Sequence, residues 1–263
     1  MRVPRIKLPR IKHRLVLAVV TAAAIAAAAL AMLVSPAPSN AELPDMTRFA
    51  AGAERKAAFF GFLEPIVIAK NARILRDRAS LREMADDLDA GRSLSSRQLD
   101  RLESLAEKYA LVDDDADPAQ RVRQLLLRAD AVPLPLVMVQ AAKESGWGTS
   151  RFAREANNLF GQWCFEPGCG IVPKRRAAGA RHEVRDFDSV EDAVTAYLHN
   201  INTGRAYQRL REIRADLRRA GEKPSAIALS DGLLFYSERR EEYVNEVKRM
   251  ILQYHKFQQP RET

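Results

Sequence analysis

Residues 140–163 read QAAKESGWGTSRFAREANNLFGQW. The stretch leading into it, VPLPLVMVQAAKES (132–145), carries apolar residues nearly all round, which predicts a buried helix. Pro133 and Pro135 suit its entry turn and first helical turn. The helix ends on Glu144, and Ser-Gly-Trp-Gly then turns the chain sharply. Burial and the negative end of the helix dipole both disfavour a carboxylate, so both raise the pKa of a glutamate placed there. A carboxylic acid that stays protonated near neutral pH can donate a proton. By itself the pattern also fits a helix-terminal glutamate that points to water, because a single Glu is not a motif.

Upstream the chain is strongly helical. Residues 55–91 place Phe59, Phe62, Leu63, Ile66, Val67, Ile74, Leu75, Leu81, Met84 and Leu88 at helical spacing, with Pro65 expected to open or kink the helix and Gly91 to cap it. Ser95 or Ser96 is the expected N-cap of a second helix, and Asp117-Pro118 the start of a third. The Asp and Arg runs of this region read as solvated faces. Downstream, Thr149 or Ser150 caps a short helix, and the segment Trp163–Phe187 reads as strand and turn, punctuated by Gly168, Gly170 and Gly179, with HEVRDF alternating. Ser189 and Asp192 cap a helix over 189–202, and helices follow over 204–220, 223–235 and 238–257. The expected fold is mainly α (α+β): a helical body with one small β insertion.

The formal charge of +8 does not describe the body of the chain. Residues 1–41 hold six Lys/Arg and no acid, so they supply six of those charges and leave +2 for the rest. That near balance argues against a nucleic-acid partner. The basic stretch MRVPRIKLPRIKHR precedes a 20-residue apolar run, Leu15–Val34, in which only Thr21 is polar. The run is long enough to span a bilayer, while Ser39-Asn40-Ala41 offers small residues for cleavage. Residues 1–41 are therefore expected to be a signal peptide or an uncleaved inner-membrane anchor, with everything after Val34 exported to the periplasm. In an exported chain, Cys164 and Cys169, the only cysteines, read as a disulfide closing a tight loop. A zinc site built on them with His182 would lack a fourth ligand, and a paired cysteine cannot act as a nucleophile. No metal or cofactor is expected.

Two motifs at a set spacing change the weight of Glu144. Q-A-x-x-E-S-G-W-G stands at Gln140, Ala141 and Glu144–Gly148, and N-L-F-G at Asn158–Gly161. Together they resemble the glucosaminidase domain of glycoside hydrolase family 73, shared by bacterial autolysins and flagellar rod-assembly proteins. The resemblance covers roughly residues 131–254. It implies a lysozyme-like helical core with a small β-lobe, and hydrolysis of β-1,4 bonds in peptidoglycan glycan strands on the reducing side of N-acetylglucosamine. On that basis 42–130 is an N-terminal helical region and 131–257 the glucosaminidase domain. Glu144 takes the general-acid position. FYSERREEYVNEV stands where the family has a tyrosine-bearing Y-A-T-D-P-x-Y-A segment, so Tyr236 and Tyr243 are the matching tyrosines, although the Thr-Asp-Pro is missing.

Glycosidases usually pair an acid with a base or nucleophile. The resemblance places the second carboxylate in the β-lobe, where Glu183, Asp186, Asp188 and Glu166 are available; Glu183 is favoured for its place in the alternating strand. Assistance by the substrate's N-acetyl group needs no second carboxylate. Asn158, Phe160, Gln162 and Trp163, with Tyr243, are the expected substrate contacts, and Trp147 is expected to be a structural wedge under the turn. A lytic transglycosylase shares the Glu-Ser helix end but normally continues with Gly-Leu-Met-Gln, which does not occur here. A non-catalytic wall-binding protein is the other reading.

Overall fold

The computed structural model describes residues 42–111, 116–174, 176, 179–236 and 238–258. The expected signal or anchor segment, residues 1–41, lies outside them. Among the described residues no helix is long and apolar enough to cross a membrane.

The first helix, α1, runs Ala53–Asp89 with Pro65 inside it. The expectation that Pro65 opens or kinks it is corrected in one respect: the helix begins twelve residues earlier, at Ala53. Proline removes one backbone donor, but the helix buries Phe59, Phe60 and Leu63 before Pro65 and Ile66, Val67, Leu81 and Met84 after it. Each such side chain contributes about 1.5–3 kcal/mol, so packing on both sides outweighs the local defect. Gly91, with φ of 72°, closes the helix: its N–H donates to the Leu88 carbonyl and that of Arg92 to Asp87.

Helix α2, Ser96–Lys108, opens with a reciprocal capping box between Ser95 and Gln98. Helix α3, Pro118–Arg128, opens on the Asp117 side chain with proline in its first turn. With the second half of α1 these two enclose a cluster of Leu81, Met84, Leu102, Leu105, Val122 and Leu125. Helix α4, Leu134–Ser145, packs against α1 and against two helices near the C-terminus, α8 (Ala226–Ser230) and α9 (Arg240–Gln258), which is why it is apolar on every side. Between them run α5 (Arg151–Ala156, capped by Ser150), α6 (Val190–Thr203, capped by Ser189) and α7 (Gln208–Arg219).

The β-lobe is a three-stranded antiparallel sheet in the order β1 (Trp163–Cys164), β3 (Glu183–Arg185), β2 (Gly170–Ile171). Trp163 pairs with Val184, and Gly170 with Arg185. A Cβ on Gly170 would stand 2.0 Å from the Val184 carbonyl oxygen, so only glycine fits this approach. Among the described residues there are nine α-helices and three short strands, the mainly α body with a small β-lobe expected from the sequence.

The charges of the N-terminal helices are not simply solvated. Asp77 is buried and takes hydrogen bonds from Arg101, Lys108 and Tyr109. Asp130 is buried too; Arg218 grips it with two 3.0 Å bonds, and Arg78 lies 3.6 Å away. Arg214, wholly buried on α7, donates to the Leu127, Arg128 and Asp130 carbonyls and to Asn202. A cation satisfies the free carbonyls at the C-terminal end of α3, where the helix dipole is negative. Residues 42–130 and 131–257 thus share a buried polar junction.

Candidate active site

The corner after α4 is built from left-handed backbone. Gly146, Trp147 and Gly148 have φ of 59°, 60° and 75°. The Trp147 N–H reaches back to the Ala142 carbonyl at 2.8 Å, and Ser145 Oγ accepts the Gly148 N–H at 2.8 Å. Trp147 packs edge-on against Phe59 and Phe60 with the Lys56 ammonium over its ring, the structural wedge expected of it.

This corner leaves Glu144 half-buried at the edge of a groove of about 1300 Å³. The groove runs between the helical body and the β-lobe and is lined by Phe160, Gln162, Trp163, Phe165, Tyr207 and Tyr236 among others. One carboxyl oxygen of Glu144, Oε1, is buried with no hydrogen-bond partner. Burial pushes the Glu144 pKa above the ordinary carboxyl value, against the opposing effects of a Tyr243 hydrogen bond and of Lys143 and Arg239. Glu246 is held down to about 2 by hydrogen bonds from Lys143 and Arg239, so those two cations are partly neutralised before they reach Glu144. A half-buried carboxyl at the edge of a groove, with its pKa raised by burial, is equipped to give up a proton there.

The other expected residues fall into two groups. Phe160, Gln162, Trp163 and Tyr236 line the groove with Glu144. Phe160 is stacked on Tyr197 at 4.0 Å, and the Tyr236 hydroxyl donates to the Phe160 carbonyl at 2.9 Å. Trp163 is 57% exposed and stacks on His182 at 4.0 Å, so one ring face stays tied to the lobe.

Asn158, Tyr243 and Glu183 are not among the groove-lining residues. Asn158 is buried: its Nδ2 donates to the Gln162 and Arg185 carbonyls and its Oδ1 accepts the Phe160 and Gln162 N–H groups. The amide expected to offer an edge to a sugar is thus spent on bracing the NLFGQW turn. Tyr243, expected at the substrate, is buried behind Glu144, with its ring stacked on Tyr236 at 5.1 Å. Glu183 is buried on β3, where Oε1 accepts the Gly168 N–H at 3.2 Å and Oε2 the Gly170 N–H at 3.0 Å. It holds the loop closed by the Cys164–Cys169 disulfide, which is formed. The carboxyls on the groove besides Glu144 are Asp186, Asp188 and Asp192. Asp192 is the capping partner of Ser189 at 2.6 Å.

Sequence reading gave no role to Gln140, Tyr197, Tyr207 or Phe165. Phe165, 68% exposed beside Cys164, was detectable as an aromatic in a short loop. Tyr197 and Tyr207 lie on helices whose other residues are ordinary core, and only their approach to Glu144 distinguishes them; burial, then Glu144, pushes the Tyr207 pKa up to about 12. Among the described residues no group of three or more His, Cys, Asp or Glu is placed to hold a metal ion.

A buried acid over an aromatic-walled groove, on a helical body with a β-lobe, has the parts of a glycoside hydrolase. The chain belongs to the glucosaminidase family: residues 119–256 match the family model described as mannosyl-glycoprotein endo-beta-N-acetylglucosaminidase. Over 206 residues it is 34% identical to Protein bax of Escherichia coli (strain K12), a match that spans 78% of this chain and 72% of that protein. No solved structure matches the chain.

Proposed function

We propose that this chain is an exported peptidoglycan hydrolase that cleaves β-1,4 bonds of the glycan strand as an endo-β-N-acetylglucosaminidase, with Glu144 as the general acid. Residues 1–41 deliver it to the periplasm, either as a cleaved signal or as an inner-membrane anchor. Residues 42–130 form a supporting helical region and 131–257 the catalytic domain. The observation that carries the reading is the half-buried Glu144 at the edge of the groove.

In this mechanism a glycan strand lies along the groove with pyranose faces on Trp163 and Phe165. Glu144 protonates the glycosidic oxygen, and the carboxylate that forms is favoured by its neighbours Tyr243 and Lys143. The oxocarbenium character that develops at the anomeric carbon is met from the β-lobe side. Glu183 supplies the second carboxylate in the sequence reading; to act there it must leave the Gly168 and Gly170 N–H groups. Glu183→Gln and Asp186→Asn separate the two lobe carboxyls: the one whose loss stops turnover while the fold survives is the partner. Loss of neither favours assistance by the substrate's own acetamido group.

The test is digestion of purified sacculi followed by mass spectrometry of the products. Reducing N-acetylglucosamine ends are expected, and 1,6-anhydro-muramic ends would instead establish a lytic transglycosylase. Glu144→Gln should lower the rate by about 10²–10⁴-fold with an unchanged circular dichroism spectrum. An unchanged rate removes Glu144 from the mechanism, and sacculus binding without any release of fragments favours a wall-binding protein.

A further inference from the structure

Part of the groove wall lies outside the residues that match the glucosaminidase model. Among the described residues that line the groove, Lys108 alone precedes residue 119, where that match begins. Lys108 is the last residue of α2, in the N-terminal helical region. It reaches the groove beside α6, which lines it with Asp192, Thr195, Ala196, His199 and Asn200. These positions share one helix face, and from Asp192 to Asn200 that face is about 12 Å long at the α-helical rise per residue. One bond fixes the junction. His199 Nε2 stands 3.0 Å from the Lys108 carbonyl, and since a carbonyl only accepts, the ring N–H donates.

The two ends of this face differ in charge. Around the start of α6 the groove carries Asp186, Asp188 and Asp192, with Arg185 as the cation among them, its guanidinium 4.9 Å from the Phe187 ring. At the His199 end stands Lys108. Its ammonium donates to Asp77 Oδ2 at 2.6 Å, and Asp77 also takes hydrogen bonds from Arg101 at 2.6 Å and Tyr109 at 2.9 Å. Two cations share one carboxylate, so one positive charge is left over. An ammonium has three donors, and the Lys108 side chain is 50% exposed, so donors remain for a ligand. Asp77 holds the ammonium in place without cancelling it.

We propose that Lys108 is a specificity residue that receives a free carboxylate of the stem peptides on a peptidoglycan strand, so that residues 42–130 help select the substrate as well as support the fold. The proposal rests on the reading of the groove as the glycan site. N-acetylated sugars are uncharged, and in an intact strand the lactyl carboxyl of muramic acid is consumed in the amide that joins each stem. The stems are then the part of the strand that brings carboxylates to the groove. The acidic end of the α6 face repels them and the Lys108 end attracts them, which directs the stems toward α2.

The test is binding, to the Glu144→Gln protein, of soluble glycan strands prepared from sacculi with their stems attached. An N-acetylglucosamine oligomer is the uncharged comparison. Lys108→Gln should weaken binding of the stem-bearing strands by about two- to fivefold, the range of an exposed ion pair, and leave the oligomer unchanged. Lys108→Arg should keep the wild-type affinity, and the Lys108→Gln loss should shrink as ionic strength rises. Arg101→Gln takes away the other cation of Asp77 and should change neither affinity. In lysine-labelled protein the Lys108 Cε NMR signal should move with the stem-bearing strands and not with the oligomer, a readout that serves if Lys108→Gln does not fold. Equal losses on both ligands, a matching loss in Arg101→Gln, or a Lys108 signal unmoved by stem-bearing strands overturns the proposal. Binding of neither ligand removes the glycan reading of the groove, and the proposal with it. If Lys108 behaves as expected while Glu144→Gln still digests sacculi, the role of Lys108 stands and the reading of Glu144 as the acid fails.

Discussion

Replacing Gly148 by alanine should destabilise the protein more than the same change at Gly146, although both glycines occupy left-handed backbone in the same corner. At Gly148 φ is 75°, which costs an L-residue about 1–2 kcal/mol. An added Cβ would also stand 2.9 Å from Met46 Cγ and 3.3 Å from two ring carbons of Phe59. Both neighbours are fully buried, and the Met46 atom is mid-chain, so it cannot swing aside. Forced overpacking of this kind adds about 1–3 kcal/mol. The sum is about 2–5 kcal/mol, or roughly 4–20 °C in Tm for a domain of this size. At Gly146 φ is 59°, but the nearest atom to a new Cβ is Thr149 Oγ1 at 3.4 Å, so only the backbone cost of about 1–2 kcal/mol applies. Thermal unfolding followed by circular dichroism measures both. Met46→Ala in the Gly148→Ala background isolates the steric part, since the clash disappears with the side chain and the two changes should be non-additive by about 0.5–3 kcal/mol. A Gly148→Ala loss no greater than that of Gly146→Ala would refute the close packing of α1 beneath the corner. Activity supplies a second reading, because a shifted corner displaces Glu144 and an error of about 1 Å at a reacting group costs about 10²-fold.

The pH dependence of turnover has a definite sign. In the proposed mechanism Glu144 acts protonated, so activity should fall as pH rises through its raised pKa, and the basic limb of kcat/KM should lie above the ordinary value of 4.5. The same shift affects folding: the protonated Glu144 stabilises the native state below the unfolded pKa, and that contribution is lost as pH rises through the folded one. Wild type should therefore lose stability relative to Glu144→Gln as pH rises from about 4.5, and a pH-independent difference would contradict the burial of Glu144. Reducing the Cys164–Cys169 bond, whose partners are five positions apart, should cost about 2 kcal/mol by loop-closure entropy. Because Trp163 and Phe165 flank that cysteine, reduction should raise KM more than it lowers kcat; a pure kcat effect in steady-state assays would separate the loop from substrate binding. Arg214→Met should cost about 3–5 kcal/mol in urea unfolding, since Asp130 and the α3 carbonyls lose their buried donor. A loss under about 1 kcal/mol would show that Arg78 and Arg218 suffice there.

What could be read from the sequence was local. Helix starts at Ser95 with Gln98, Asp117 with Pro118, Ser150 and Ser189 follow from side chains that reach backbone two or three residues on, so neighbours in sequence settle them. The apolar character of α4, the Gly-Trp-Gly corner and the placement of Glu144 at the end of that helix belong to the same class. The disulfide was legible because its cysteines are close in sequence and have no other partner.

The tertiary structure decided everything that depends on a distant partner. Gln140 meets Tyr197 and Tyr243 across 57 and 103 positions, and no spacing rule links them. Asp77 and Asp130 look like ordinary surface charges until arginines arrive from other helices and make their burial affordable. Pro65 reads as a helix start or kink because its missing donor is a local cost, whereas the core contacts that outweigh it come from elsewhere. Asn158 and Glu183 carry the right chemistry for a sugar site, but which way a polar side chain is spent depends on where unsatisfied backbone groups lie. In this fold the nearest ones are the Gln162 and Arg185 carbonyls and the Gly168 and Gly170 amides. The sequence by itself therefore determined the glutamate at the end of a buried helix and the corner that follows it; only the folded chain decided which polar residues face the groove and which hold its walls in place, because a hydrogen bond is satisfied by proximity in space and not by order along the chain.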